Sequence, residues 1–155
     1  MFSSRKLTEM ETETLKNVFG DQVDYSKIRI RDKHWTTEVS GARAFVFGNS
    51  IQMSGKYIGD RTILIHETAH VWQFQHTMGW EYIFSALTDH ILARLDGHNP
   101  YDYSKVLGTA PWHKWSVEQQ AQWIGEHECL PPFDIRFPKG RSASAQKRNS
   151  RKKER

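Results

Sequence analysis

Apolar positions along the chain fall into segments of two periods, and these define the elements. In the first segment Leu7, Met10, Leu15, Val18 and Phe19 form an apolar stripe at helical spacing. Thr8-Glu9-Met10-Glu11 ahead of it has the S/T-x-x-E form of a capping box, so a helix is predicted from Glu9 to Phe19, stopped by Gly20. Ile28-Arg29-Ile30-Arg31 alternates apolar and charged residues, as a half-buried strand does. Ala44-Phe45-Val46-Phe47 and Ser50-Ile51-Gln52-Met53 flank Gly48-Asn49, a pair suited to a two-residue hairpin turn of type I′ or II′. An exposed strand of this hairpin could pair with an extended peptide through its unused backbone groups.

From Thr62 to Gln73 the polar residues are embedded in an apolar background, which predicts a buried helix over residues 61–77 with Asp60 as its N-cap. Ile83, Phe84, Leu87, Ile91 and Leu92 predict a core-facing helix from Trp80 to Leu95, ended by Gly97. Ser116 with Gln119 forms a second capping box and predicts a third major helix ending near Gly125 to His127. Pro131-Pro132 terminates any helix, and Phe133 to Phe137 is expected to pack back on the domain. The pattern as a whole is α+β, mostly helical, with a small sheet or hairpin ahead of the buried helix.

A chain of 155 residues accommodates one domain with a substantial core. Its net charge of +4 is unevenly placed. Nine of the 22 Lys and Arg lie from Arg136 onward beside a single acid, Glu154, which leaves 13 positive and 17 negative charges in residues 1–135. The expected division is therefore a folded domain over 1–137 and a basic, disordered tail over 138–155. A charge run of this kind is weak evidence for nucleic-acid binding, and a solvated terminus is the better reading. A lone Cys129 excludes both a disulfide framework and a cysteine-rich metal site. Neither a signal-peptide-like apolar run at the start nor an apolar stretch of membrane-spanning length occurs. The expected setting is the cytoplasm of the producing cell, with export by a route that uses no cleaved signal.

The candidate chemistry lies in the buried helix, whose His66-Glu67-Thr68-Ala69-His70 is an H-E-x-x-H motif. On a helix the two His are about 40° apart around the axis and about 6 Å apart along it, so both imidazoles can hold one ion. Glu67 is then placed to act on a water as the catalytic base of a metallopeptidase. Catalytic zinc usually takes three protein ligands, so one more is needed. His76 has the spacing of a longer H-E-x-x-H-x-x-G-x-x-H pattern, but Gln73 replaces the Gly that lets the chain leave the helix, so a continuing helix carries His76 about 9 Å beyond His70. Glu118, in the first turn of the third helix, matches the His2Glu arrangement of thermolysin-type sites. Glu126, Glu128, His90, Asp89 and His113 are the alternatives, and the isolated His34 is a weaker one. A donor to a tetrahedral oxyanion is also required, with Tyr82, His90, Tyr101, Tyr103 and His113 as candidates.

Three blocks in order resemble one known family. They are Leu7-Thr8 through Asp21 with Asp24-Tyr25-Ser26-Lys27-Ile28-Arg29-Ile30, then His66 through Gln73, then Glu118-Gln119-Gln120-Ala121. Together they are similar to the small H-E-x-x-H domains of Vgr-related proteins associated with bacterial type VI and other contractile injection systems. The resemblance covers residues 7–128 and leaves the basic tail outside. It implies a minimal zincin-like metallopeptidase fold of the gluzincin type, binding Zn2+ through His66, His70 and Glu118, with Glu67 as catalytic acid/base. The resemblance supplies no substrate; a peptidase of this kind is expected to take a peptide or peptidoglycan peptide, to be deployed as a secreted antibacterial effector, and to have a secretion-system component or immunity protein as partner. The competing expectation is a non-catalytic zinc-binding accessory or adaptor of the apparatus.

Overall fold

The computed structural model describes residues 4–32, 44–76 and 95–131. In chain order the elements are β1 (Ser4–Arg5), α1 (Glu9–Phe19), β2 (Arg29–Asp32), β3 (Ala44–Phe47), β4 (Ser50–Met53), α2 (Arg61–His76) and α3 (Val117–His127). Short 3-10 turns at Tyr25–Lys27, Gly55–Tyr57 and Trp112–Lys114 join them. Residues 80–94 of the helix expected from Trp80 to Leu95, together with His34, the 133–137 segment and the basic tail, lie outside the described residues.

Both capping boxes form. Thr8 Oγ1 accepts from Glu11 N at 3.1 Å while the Glu11 carboxylate accepts from Thr8 N, and Ser116 with Gln119 repeats the exchange at the start of α3. Gly20 ends α1 with φ +58, a conformation that a side chain disfavours. One detail departs from the expected stripe. Met10 is 78% exposed, whereas Leu15, Val18 and Phe19 are buried. Met10 precedes Leu15 by five residues, which is about 140° around a helix, so it falls on the outer face.

The four strands form one mixed sheet in the order β1-β2-β4-β3. The hairpin of β3 and β4 pairs Phe47 with Ser50 across Gly48-Asn49. Gly48 has φ +63 and Asn49 is not in the positive-φ region, so the turn belongs to the II′ class. The tip rests on α2, since a Cβ on Gly48 would sit 3.3 Å from the Phe74 ring. β2 runs parallel to β4 with Ile30 opposite Ile51, and β1 adds antiparallel to its other side. Among the described residues β3 therefore lies at one edge, with α2 packed across β3 and β4.

Burial explains why these elements associate. Leu15, Phe19, Ile28, Ile30, Ile51, Ile65, Val71, Trp72 and Ile124 are all essentially inaccessible and join α1, the sheet, α2 and α3 in one core. Trp112, Trp115 and Trp123 extend that core beside α3, with the Trp112 ring 5.0 Å from that of Trp115 and 5.7 Å from that of Trp123.

Candidate metal centre

Helix α2 begins where Asp60 Oδ1 accepts from Ile63 N at 3.0 Å. From Leu64 to Gln73 every residue except His66 is buried, including Glu67, Thr68, His70 and Gln73. A polar set carried this deep needs partners, because an unpaired buried polar group is costly. Helix α3 meets much of that need.

The two helices approach closely at Gly125. A Cβ there would meet His66 Cβ at 3.3 Å and the backbone oxygen of Thr62 at 3.5 Å. Glycine thus lets α3 lie directly on the turn of α2 that carries His66. The Ser116 cap starts α3 so that Glu118 falls in its first turn, 4% exposed, where the helix dipole favours a carboxylate.

Glu118 Oε2 lies 3.5 Å from His66 Nε2 and 3.3 Å from His70 Nε2. All three ligand atoms are within 4.8 Å of one another. Donors about 2.0–2.1 Å from a tetrahedral zinc are separated by roughly 3.4 Å, so the carboxylate-to-imidazole spacings match two edges of such a site. The donor set of two imidazoles and a carboxylate also suits a borderline ion such as zinc. These residues could hold a metal ion, and the structure brings the H-E-x-x-H pair and Glu118 together.

The electrostatics of the cluster follow from its burial. Desolvation pushes the His70 pKa down, but the Glu118 carboxylate, by charge and by hydrogen bond, together with the Glu67 charge and Gln73, outweighs it and holds the group at about 9. Glu67 is 7% exposed, and it follows His66 directly on the helix. His70 Nδ1 faces away from the cluster and bonds Gln73 Oε1 at 2.9 Å. Gln73 Nε2 in turn donates to Val117 O and Gln120 Oε1, both at 3.0 Å, and Gln120 Nε2 donates to Trp112 O at 2.9 Å.

Two of the alternative ligands, Glu126 and Glu128, are engaged elsewhere. Glu128 forms a two-pronged pair with Arg61, at 2.9 and 2.7 Å. Glu126 accepts from the Tyr103 hydroxyl and from Gln122 Nε2, bonds that hold its carboxyl below the usual range. His76 bonds the Gln22 carbonyl at 2.6 Å, away from the cluster, as the continuing helix requires. His113, in the 3-10 turn before α3, is not part of the cluster, while Asp89, His90 and Tyr82 lie outside the described residues. Of the described oxyanion-donor candidates, Tyr101 lies beside the cluster, its ring centroid 5.9 Å from that of His66. Tyr103 is turned to Glu126 and stacked on Trp115.

Two residues of the site, Gln73 and Gln120, were not found from sequence. The available signal was an amide within an otherwise apolar run, three residues after a ligand, where its side chain shares the face of His70.

Comparison with known proteins gives a partial match. The type VI secretion system spike protein VgrG2b of Pseudomonas aeruginosa is 33% identical over 84 residues, which is 48% of this chain. The match covers 8% of the length of that protein. No protein-family model matches the chain, and no solved structure does. The similarity links the chain to a Vgr spike protein and carries no peptidase family with it. No helix among the described residues is long and apolar enough to cross a membrane.

Proposed function

We propose that this chain is a zinc-dependent peptidase domain of minimal zincin-like type, used by a type VI secretion apparatus as an antibacterial effector. The observation that carries the reading is the convergence of His66, His70 and Glu118 ligand atoms with a buried Glu67 on the same helix. His66, His70 and Glu118 would hold a zinc ion, which would supply the Lewis acidity for activating a water and polarising a scissile carbonyl.

Glu67 then has the work of a proton carrier. It takes the proton of the attacking water and delivers it to the leaving amine, a role that suits a carboxylate buried beside two imidazoles. Tyr101, exposed beside His66, would donate a hydrogen bond from its hydroxyl to the developing oxyanion. Among the described residues β3 is an edge strand next to α2, and its backbone groups would suit an extended substrate such as a peptide or the peptide of peptidoglycan.

The test is zinc content and hydrolysis of the wild type and Glu67→Gln together. The substitution should leave zinc bound near one per chain and lower the rate by at least about 10²-fold. A folded, zinc-loaded wild type that cleaves nothing in broad peptide and peptidoglycan panels counts against the peptidase. A second reading, a non-catalytic zinc-stabilised accessory of the apparatus, draws on the similarity to a spike protein. On that reading Glu67→Gln leaves secretion and partner binding unchanged, and the wild type hydrolyses nothing.

A further inference from the structure

Gln73 and Gln120 are fully buried, between the His70–Glu118 cluster and the tryptophans beside α3. Hydrophobic packing gives no reason for them, since replacing a buried hydrogen-bonded pair by apolar groups of the same shape is close to neutral. The direction of their hydrogen bonds is informative. The Trp112 carbonyl can only accept, so Gln120 Nε2 donates to it at 2.9 Å, and Gln120 Oε1 is left facing Gln73. The Val117 carbonyl can also only accept, and it takes the other N–H of Gln73 Nε2 at 3.0 Å. Two independent acceptors thereby assign the amide orientation of Gln73.

With its amino group committed, Gln73 presents Oε1 to His70, so Nδ1 must carry the proton and donate across 2.9 Å. His70 Nε2 is then the nitrogen that faces Glu118 at 3.3 Å. The same amide joins the two ligand-bearing elements, because Val117 immediately precedes Glu118.

We propose that Gln73 is the positioning residue of the metal centre. The relay from Trp112 through Gln120 and Gln73 sets the tautomer and ring plane of His70 and ties the first turn of α3 to the imidazole-bearing face of α2. This inference rests on the zinc-site reading and not on hydrolysis. Groups that orient a ligating His in this way typically contribute about 10–100-fold to metal affinity.

The experiment is a zinc-affinity measurement on the full chain, by competition with a chromophoric chelator, for wild type, Gln73→Leu and Gln73→Glu. Gln73→Leu should bind zinc about 10–100-fold more weakly. Gln73→Glu keeps an acceptor for Nδ1–H and should bind more tightly than Gln73→Leu despite a lower melting temperature. A purely structural role gives the reverse order, because a buried carboxylate facing two carbonyl oxygens is worse tolerated than an apolar side chain. A folded Gln73→Leu with wild-type affinity overturns the positioning role alone, whereas a wild type that binds no zinc overturns the metal centre as well. Should either variant fail to fold, 15N NMR of the zinc-loaded wild type decides: a proton on His70 Nδ1 supports the relay, and an unprotonated Nδ1 overturns it.

Discussion

Raising the pH of the zinc-free protein should weaken it within a defined window, and His70 sets that window. Folded His70 holds its proton to about pH 9, against an ordinary value of 6.5 once the chain is unfolded. Between those values the native state binds more protons than the unfolded one, so stability falls as pH rises. The contribution is complete below about pH 6.5 and gone above about pH 9. A difference of about 2.5 pH units corresponds to about 3 kcal/mol at 1.36 kcal/mol per unit. With a urea m-value of about 1.5 kcal/mol/M, the midpoint of unfolding should drop by roughly 2 M across the window. The assay is urea denaturation in the presence of a chelator at several pH values, beside Glu118→Gln, which removes the main influence raising the His70 pKa. Zinc should reverse the trend. The ion competes with the proton for Nε2, so binding below pH 9 releases a proton and strengthens as pH rises. A midpoint that stays level through the window, or a fall of equal size in Glu118→Gln, refutes the reasoning.

Other consequences follow from how the two ligand-bearing helices are held. Gly125→Val places a branched side chain where Cβ alone would lie 3.3 Å from His66 Cβ and 3.5 Å from the Thr62 carbonyl oxygen. It should cost about 1–3 kcal/mol in chemical denaturation and weaken zinc binding by displacing His66. Gly125→Ala should be milder, because helix propensity returns about 1 kcal/mol. Ser116→Ala and Thr8→Ala each remove an N-cap and should each cost about 1 kcal/mol in thermal melts. Only Ser116→Ala should also lower zinc affinity, since its helix carries Glu118; an equal effect from Thr8→Ala contradicts that account.

Local signals were readable without the fold. The Thr8/Glu11 and Ser116/Gln119 boxes, the Asp60 cap and the Gly48-Asn49 turn each act through hydrogen bonds or backbone freedom within four residues. The spacing of His66 and His70 likewise determines their shared face, because a helix repeats every 3.6 residues. Met10 marks the boundary of this reasoning. Five residues before Leu15 is about 140° around the helix, so Met10 lies off the stripe that Leu15, Val18 and Phe19 bury, and the apolar character of the residue outweighed its angle in the sequence reading.

The tertiary structure separates Glu118 from the other candidate carboxylates that the sequence left open beside it. Glu118, Glu126 and Glu128 occupy one short helix and its cap, and residue type alone does not separate them. The close crossing at Gly125 turns Glu118 toward the imidazoles, gives Glu128 to Arg61 and leaves Glu126 to Tyr103. The parallel pairing of β2 with β4 and the Gln73–Gln120 relay are of the same kind. The sequence by itself determined which atoms can bind or carry a proton and where the helices and the turn begin. Only the tertiary structure decided which of those atoms meet, because meeting depends on how helices distant in the chain bury against each other.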